Sequence, residues 1–165
     1  MMDSAYKMQL DSVQIGAADL PAASRDYALL LGVVPQLRRD GLIRFQLKTG
    51  AVELIEGAEG VCSIRFTVDS TWTGGERGRF NGIDVLFSSP SEEPAAATGV
   101  GSVEAIDHVV VQTTKIDRAL ALWRDKLGLR LALDREFPGR GLRLVFFRSG
   151  GITLEIAGPL QAVAG

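Results

Sequence analysis

The sequence contains an internal repeat, which restricts the possible fold more than any other feature does. A shift of 96 residues aligns Leu10–Gly32 with Ile106–Gly128 without a gap, over 23 positions of which five are identical. Each copy begins with an apolar stretch, continues with apolar residues at helical spacing, and ends in Leu-Gly. Self-similarity at a fixed period is typical of a repeated supersecondary unit. The chain therefore predicts two copies of one strand–helix module.

Both copies have the pattern of a βαβββ module. In the first copy, alternation over Met8–Ile15 predicts a strand, and Asp19 with Pro21 predicts the start of a helix. Later strands are predicted at 42–47 and 51–55, joined by a turn at Thr49-Gly50. The second copy repeats this plan, with a strand at 105–112, a helix at 116–127, and strands at 129–133, 142–148 and 152–157.

The segment between the modules has no repeat partner. Two alternating stretches, 62–68 and 83–87, predict an extra β-hairpin, and the polar, proline-bearing stretch 88–101 predicts a linker. We therefore place the first module at 1–57, the hairpin and linker at 58–103, and the second module at 104–165. A chain of 165 residues can bury one core, so these parts are predicted to form one compact fold.

Composition limits the possible partners. The formal charge of −2 provides no basic surface for nucleic acid, and no apolar run approaches the length that spans a membrane. Cys62 is the only cysteine, which predicts a reducing, cytoplasmic location. We therefore expect a small-molecule partner.

A few polar residues interrupt the predicted strands. His108, the only histidine, lies in an apolar run, while Glu53 and Glu155 each lie between two apolar residues. A buried carboxylate is costly unless it is paired with a cation or protonated. His108, Glu53 and Glu155 are therefore candidate site residues. The alternative is that His108 is an ordinary histidine of the sheet and that the two carboxylates face solvent. Arg44 and Arg143, on the third strands, are candidates for binding an anionic substrate, with solvated positions as the alternative.

These motifs resemble a known family. The Ile-Asp-His-Val-Val-Val strand, the helix ending Trp-x-x-x-Leu-Gly-Leu and the closing Gly-Ile-Thr-Leu-Glu-Ile strand resemble the vicinal oxygen chelate superfamily. The resemblance implies an α+β fold in which two tandem βαβββ modules, glyoxalase-like, curl round a shared cavity. It also implies metal ligands on the first and fourth strands of each module. The matching positions are Ser12, Glu53, His108 and Glu155.

Ser12 departs from this pattern, because family enzymes carry histidine or glutamine there and a hydroxyl is a weak ligand. Gln14 lies on the same predicted strand face and is the alternative oxygen donor. One histidine cannot supply the two-His, one-carboxylate triad, so an extradiol dioxygenase is disfavoured. What remains is a carboxylate-rich site for a divalent ion, or a site with no metal.

The resemblance implies one of two functions. The first is divalent-metal-assisted proton abstraction next to a carbonyl, by a lyase or isomerase in which Glu155 or Glu53 is the base. The second is metal-free binding or antibiotic sequestration of the bleomycin-resistance type.

The alternating faces of the extra hairpin further predict a homodimer with that hairpin, including Phe66 and Phe87, near its interface.

Overall fold

The computed structural model describes residues 7–80, 82–90 and 103–160. It divides the chain into two compact units. The first unit is Gln9–Ile106, and the second comprises, among the described residues, Lys7 and Met8 together with residues 107–160. Among the described residues, none of the helices is long and apolar enough to cross a membrane.

In its described residues, the first unit contains one helix and a seven-stranded sheet. Its elements are β1 Met8–Ala17, α1 Leu20–Leu31, β2 Gln36–Leu37, β3 Ile43–Gln46, β4 Ala51–Glu56, β5 Gly60–Val68, β6 Arg77–Phe80 and β7 Ile83–Ser88. The strand order is β2-β3-β4-β1-β5-β7-β6. Asp19 caps α1 by accepting a hydrogen bond from the Ala22 amide, and Gly32 ends it in the left-handed conformation (φ 64°). Apolar residues of α1, β3 and β4 pack into a core that includes Leu31, Phe45 and Leu54.

The second unit contains a four-stranded sheet and one helical segment. Its elements are β8 His108–Gln112, α2 Ile116–Leu120, a π-helical turn Ala121–Lys126, β9 Arg130–Phe137, a 3-10 turn Pro138–Arg140, β10 Leu142–Ser149 and β11 Ile152–Pro159. The strand order is β8-β11-β10-β9. The helical segment buries Trp123 completely, together with apolar residues of β10 and β11 such as Val145 and Leu154.

The predicted α+β fold with two βαβββ modules is confirmed. In each module the first strand pairs in parallel with the fourth, as β1 does with β4 and β8 with β11. Gln14 lies opposite Glu53 in the first pair, and Val110 lies opposite Glu155 in the second. Since Val110 is the 96-residue match of Gln14, the two glutamates occupy equivalent positions in the two modules.

The prediction that 62–68 and 83–87 form a hairpin is wrong. These stretches lie in β5 and β7, which are neighbours but run parallel, with Ser63 opposite Asp84 and Thr67 opposite Ser88. The hairpin partner of β7 is β6. Parallel neighbours need a crossover connection, which residues 69–82 provide, and alternation alone does not distinguish the two pairing directions. The segment therefore extends the sheet of the first module.

The structure also corrects the predicted end of β9 and the predicted dimer contact. β9 continues four residues beyond the predicted end at Leu133, because its register with β10 extends to Phe137. The aromatic side chains proposed for a dimer contact, Phe66 and Phe87, are 0% and 5% exposed and contact each other inside the first unit. They are not available for a contact between chains. Residues 91–101 of the predicted linker lie outside the described residues.

Candidate functional site

The first unit holds Glu53 in a network of hydrogen bonds and ion pairs. The Glu53 side chain is 3% exposed, and its carboxylate accepts from Gln14 Nε2 at 2.9 Å, Arg44 Nη1 at 2.6 Å and Arg65 Nε at 3.3 Å. Arg44 is the direct cross-strand neighbour of Glu53. A buried carboxylate is thus matched by a guanidinium that belongs to the same sheet.

Arg44 is itself bound on several sides. Its guanidinium donates to both carboxylate oxygens of Asp11, at 2.9 and 3.0 Å, and its Nε donates to Gln46. Burial alone would lower the pKa of Arg44, but the hydrogen bonds and charges of Asp11 and Glu53 outweigh burial and raise this pKa above its ordinary value. The predicted substrate-binding residue Arg44 therefore acts as the permanent counterion of Glu53.

Ser12 and Gln14 lie on the same face of β1 and are both buried. Gln14 uses both ends of its amide, because Nε2 donates to Glu53 and Oε1 accepts from Ser63 Oγ at 2.5 Å. Among the described residues, Ser12 Oγ has no hydrogen-bond partner. The two predicted oxygen ligands of β1 thus face the Glu53 network.

Glu53 and its partners Arg44 and Arg65 border a polar cleft in the first unit. A cavity of about 260 Å³ is lined by acidic and basic side chains in equal number, namely Asp11, Asp40, Glu53, Arg38, Arg44 and Arg65, with Leu42, Thr67, Ser88 and Ser89. Sequence reasoning missed Asp11 and Arg65. Asp11 is one of the five identical repeat positions, with Asp107 as its match, and this identity is the signal that could have found it.

The first unit does not fit a divalent cation. Two guanidinium groups contact Glu53, and a cation placed there would be repelled by both. The Gln14 amide presents its N–H to the carboxylate rather than its oxygen to a shared centre. Nowhere in the described residues do three or more histidine, cysteine, aspartate or glutamate side chains cluster as a metal site.

The second unit contains a different arrangement around the equivalent glutamate. His108 Nε2 lies 3.9 Å from Glu155 Oε2, and His108 Nδ1 lies 2.7 Å from Asp107 Oδ2. In the tautomer that carries its hydrogen on Nδ1, His108 donates a hydrogen bond to Asp107, and the lone pair of Nε2 lies on the side of Glu155. The Glu155 side chain is 15% exposed and that of His108 is 46% exposed. An imidazole nitrogen and a carboxylate on neighbouring strands fit a divalent ion as two of its donors.

The cross-strand neighbour distinguishes the two glutamates. On the third strand, Glu53 is opposite Arg44, whereas Glu155 is opposite Phe146. Leu133 follows Phe146 on the next strand and Val110 lies on the other side of Glu155. Glu155 is therefore flanked by apolar residues in the sheet where Glu53 is flanked by a guanidinium and an amide.

Arg143 lies away from Glu155. Its guanidinium donates to Asp134 at 2.8 and 2.7 Å and to Asp117 of α2 at 2.7 Å. These hydrogen bonds raise the pKa of Arg143 above its ordinary value. Side chains alternate along a strand, so Arg143 and Phe146 point to opposite faces of β10, and Arg143 is on the helix side. The structure thus separates this predicted substrate-binding residue from the face that carries Glu155.

The second module is similar to known proteins in sequence. Residues 105–162 match the model of the family described as Glyoxalase/Bleomycin resistance protein/Dioxygenase superfamily. The mitochondrial methylmalonyl-CoA epimerase of Mus musculus is 27% identical over 74 residues, which are 45% of this chain and 42% of that protein. The chain thus matches less than half the length of this relative.

Solved structures share the fold at low identity. The Mn(II)-bound glyoxalase from Novosphingobium aromaticivorans has a TM-score of 0.60 at 12% identity, covering 93% of this chain and 82% of that one. Homoprotocatechuate 2,3-dioxygenase from Arthrobacter globiformis has a TM-score of 0.68 at 16% identity, covering 91% of this chain and 59% of that one. The family match thus covers the second module, and the likeness of the whole chain to these solved structures is a likeness of fold.

Proposed function

We propose that the second unit binds a divalent metal ion through His108 and Glu155, and that the protein removes a proton next to a carbonyl group of a small molecule. The observation that carries this proposal is the difference between the two equivalent glutamates. Glu53 has the Arg44 guanidinium as its cross-strand neighbour, whereas Glu155 has Phe146 in that place and His108 at 3.9 Å. A largely buried carboxylate without a cation of its own is suited to bind one.

Asp107, His108 and Glu155 each have a separate role in the proposed reaction. Asp107 holds the imidazole of His108 through Nδ1, so that Nε2 points toward the metal-binding side. A bound divalent ion would polarise a substrate carbonyl and stabilise the negative charge that develops on it. Glu155 is the base of the proposal, because Glu53 already accepts hydrogen bonds from three side chains. The similarity to a protein named as an epimerase supports a proton-transfer reaction of the isomerase type.

The proposal predicts the result of a metal titration. In calorimetry with Mn²⁺, Glu155→Gln and His108→Ala should each weaken binding by at least about tenfold, because each removes a donor. Glu53→Gln is the matched control: it neutralises the equivalent carboxylate of the other module and should leave Mn²⁺ affinity unchanged. Unchanged affinity in both second-unit variants would contradict the metal proposal.

The first unit favours a second candidate function, which is metal-free binding of a small molecule. Its cleft is polar, and the carboxylate equivalent to Glu155 is neutralised internally by Arg44 and Arg65. Elemental analysis of protein purified without chelator separates the candidates. A stoichiometric divalent ion eliminates metal-free binding, whereas a protein that takes up no metal on soaking supports it.

A further inference from the structure

A second cavity of the first unit shares part of its lining with the polar cleft beside Glu53. Its volume is about 440 Å³, and its polar lining consists of Gln14, Asp40, Glu56, Arg65 and Arg77. Asp40, Leu42 and Arg65 line both cavities. Asp40 and Leu42 lie in the connection between β2 and β3, and Arg65 lies in β5. These two segments of the first unit therefore border both spaces.

Each of the two cavities is lined by acidic and basic side chains in equal number. The cleft of about 260 Å³ has three of each kind. The cavity of about 440 Å³ has two of each, since Asp40 and Glu56 accompany Arg65 and Arg77 there. A ligand with a net charge would meet no excess of the opposite charge in either space. This balance favours a ligand that is neutral overall.

Arg65 has hydrogen-bonding capacity left for a ligand. Its side chain is 20% exposed, and its Nε donates to Glu53 at 3.3 Å. Within the described residues, its two terminal nitrogens make no hydrogen bond. Arg44 differs, because each of its three nitrogens donates to a side chain, namely that of Asp11, Glu53 or Gln46. The planar fork of a guanidinium matches the two oxygens of a carboxylate, so Arg65 is suited to bind one.

Asp40 provides the opposite charge at the same two cavities. Its carboxylate accepts a long hydrogen bond, 3.4 Å, from the Leu42 amide. In the part of the chain that the structure describes, Asp40 makes no ion pair. Asp40 and Arg65 therefore do not neutralise each other, although both border the same spaces. A cationic group of one ligand can bind Asp40 while its anionic group binds Arg65.

From these observations we infer that the first unit binds a small zwitterion of the α-amino acid class, with its carboxylate on Arg65 and its ammonium group on Asp40. An α-amino acid carries both charges at neutral pH and is neutral overall, which suits the balanced lining. The cavities on the two sides of Asp40 and Arg65 leave room for its side chain. The ligand class rests on the second candidate function, the metal-free binding of a small molecule by this cleft, and makes that function specific.

A titration with three matched probes tests the ligand class. L-Alanine carries both charges, propionate lacks the ammonium group, and ethylammonium lacks the carboxylate. In NMR spectra of the isotope-labelled protein, we expect L-alanine to cause saturable shifts of the Gly41 amide and of the Arg65 Nε–H. Propionate and ethylammonium should each bind at least about tenfold more weakly, because each loses one ion pair.

Two outcomes of this titration overturn the inference. One is the absence of saturable shifts with L-alanine. The other is propionate or ethylammonium binding as tightly as L-alanine, and in that case the binding of a small molecule by the cleft would stand while the zwitterion would not.

Two variants locate the bound probe. Asp40→Asn and Arg65→Gln should each weaken L-alanine binding at least about tenfold, because each removes one charged partner. Arg79→Gln is the matched control, since Arg79 of β6 is 70% exposed and lines neither cavity, and its affinity should equal that of the wild type. Asp40 is exposed, so Asp40→Asn should fold even if the loss of the Glu53 contact unfolds Arg65→Gln. Unchanged affinity in Asp40→Asn, or in an Arg65→Gln protein that is folded by circular dichroism, overturns the inference.

Repeating the titration with EDTA separates this site from the proposed metal site of the second unit. We expect the same L-alanine affinity with and without EDTA, because the cleft holds its ligand through Arg65 and Asp40 alone. Loss of L-alanine binding in EDTA overturns the inference. A protein that binds L-alanine but takes up no Mn²⁺ refutes the metal proposal alone, and a protein that binds Mn²⁺ but not L-alanine refutes the amino acid site alone.

Discussion

Replacing Arg44 by alanine is expected to lower the free energy of unfolding of the first unit by about 3–5 kcal/mol. The Arg44 side chain is 9% exposed and makes, at 2.6 Å, a shorter contact with Glu53 than Gln14 or Arg65 does, and the Glu53 side chain is 3% exposed. Without Arg44 the carboxylate keeps Gln14 and the longer contact with Arg65, and so remains a largely uncompensated buried charge. The loss should be visible as an earlier urea-induced transition in circular dichroism.

Two further variants test whether the loss of stability in Arg44→Ala comes from the buried charge of Glu53. Lys48→Ala removes an ion pair with Glu104 in which both side chains are more than half exposed, so its effect on unfolding should be close to zero. The double variant Arg44→Met with Glu53→Gln removes both buried charges and should be less destabilised than Arg44→Ala alone. A loss below about 1 kcal/mol in Arg44→Ala would show that Glu53 does not need this counterion.

Replacing Trp123 by alanine should destabilise the second unit by about 3–5 kcal/mol, because it leaves a large cavity. Trp123 is 0% exposed and lies in the helical segment that covers the sheet of the second unit. Trp123→Phe keeps part of the volume and should cost less. The unfolding transition of the second unit should move to lower urea concentration in circular dichroism.

The chain offers a matched control and an internal probe for this experiment. Leu133→Ala shortens a side chain of the same unit that is 48% exposed, and its effect should be well below that of Trp123→Ala. Each unit contains one tryptophan, Trp72 in the first and Trp123 in the second, so the fluorescence of the Trp123 variants reports the first unit. Equal losses in Trp123→Ala and Leu133→Ala would mean that Trp123 does not support the core.

The two modules carry a glutamate at equivalent positions of their fourth strands, but the surroundings of the two carboxylates differ. A single cross-strand position distinguishes them, because the Arg44 guanidinium neutralises Glu53 whereas the Phe146 ring, opposite Glu155, carries no charge. This difference gives the two units different proposed roles although the four strands of their βαβββ modules are arranged in the same order. On the proposed function, Phe146→Arg should abolish the Mn²⁺ binding of the second unit in calorimetry, because it places a guanidinium opposite Glu155, and it should do so without loss of fold.

Local sequence patterns were sufficient to predict the two repeated modules. The 96-residue repeat, the helix start at Asp19 and the alternation of the strands predicted where the elements lie, because side-chain periodicity and capping depend on near neighbours in the chain. The equivalence of Glu53 and Glu155 was likewise predictable, since strand parity turns both toward the same face of their modules. His108 could be singled out because a polar ring interrupts an apolar strand.

Contacts between distant segments were decided only by the tertiary structure. Alternation is the same in parallel and antiparallel strands, so it could not show that β5 and β7 run in one direction. Nor could the sequence show that Arg44 binds Asp11, 33 residues away, or that Arg143 turns toward Asp117 on α2. The sequence by itself determined the repeated module and its polar positions, because these depend on local periodicity. Which cation, amide or ring each polar side chain meets depends on strand order and register, and these are set by packing across the whole unit.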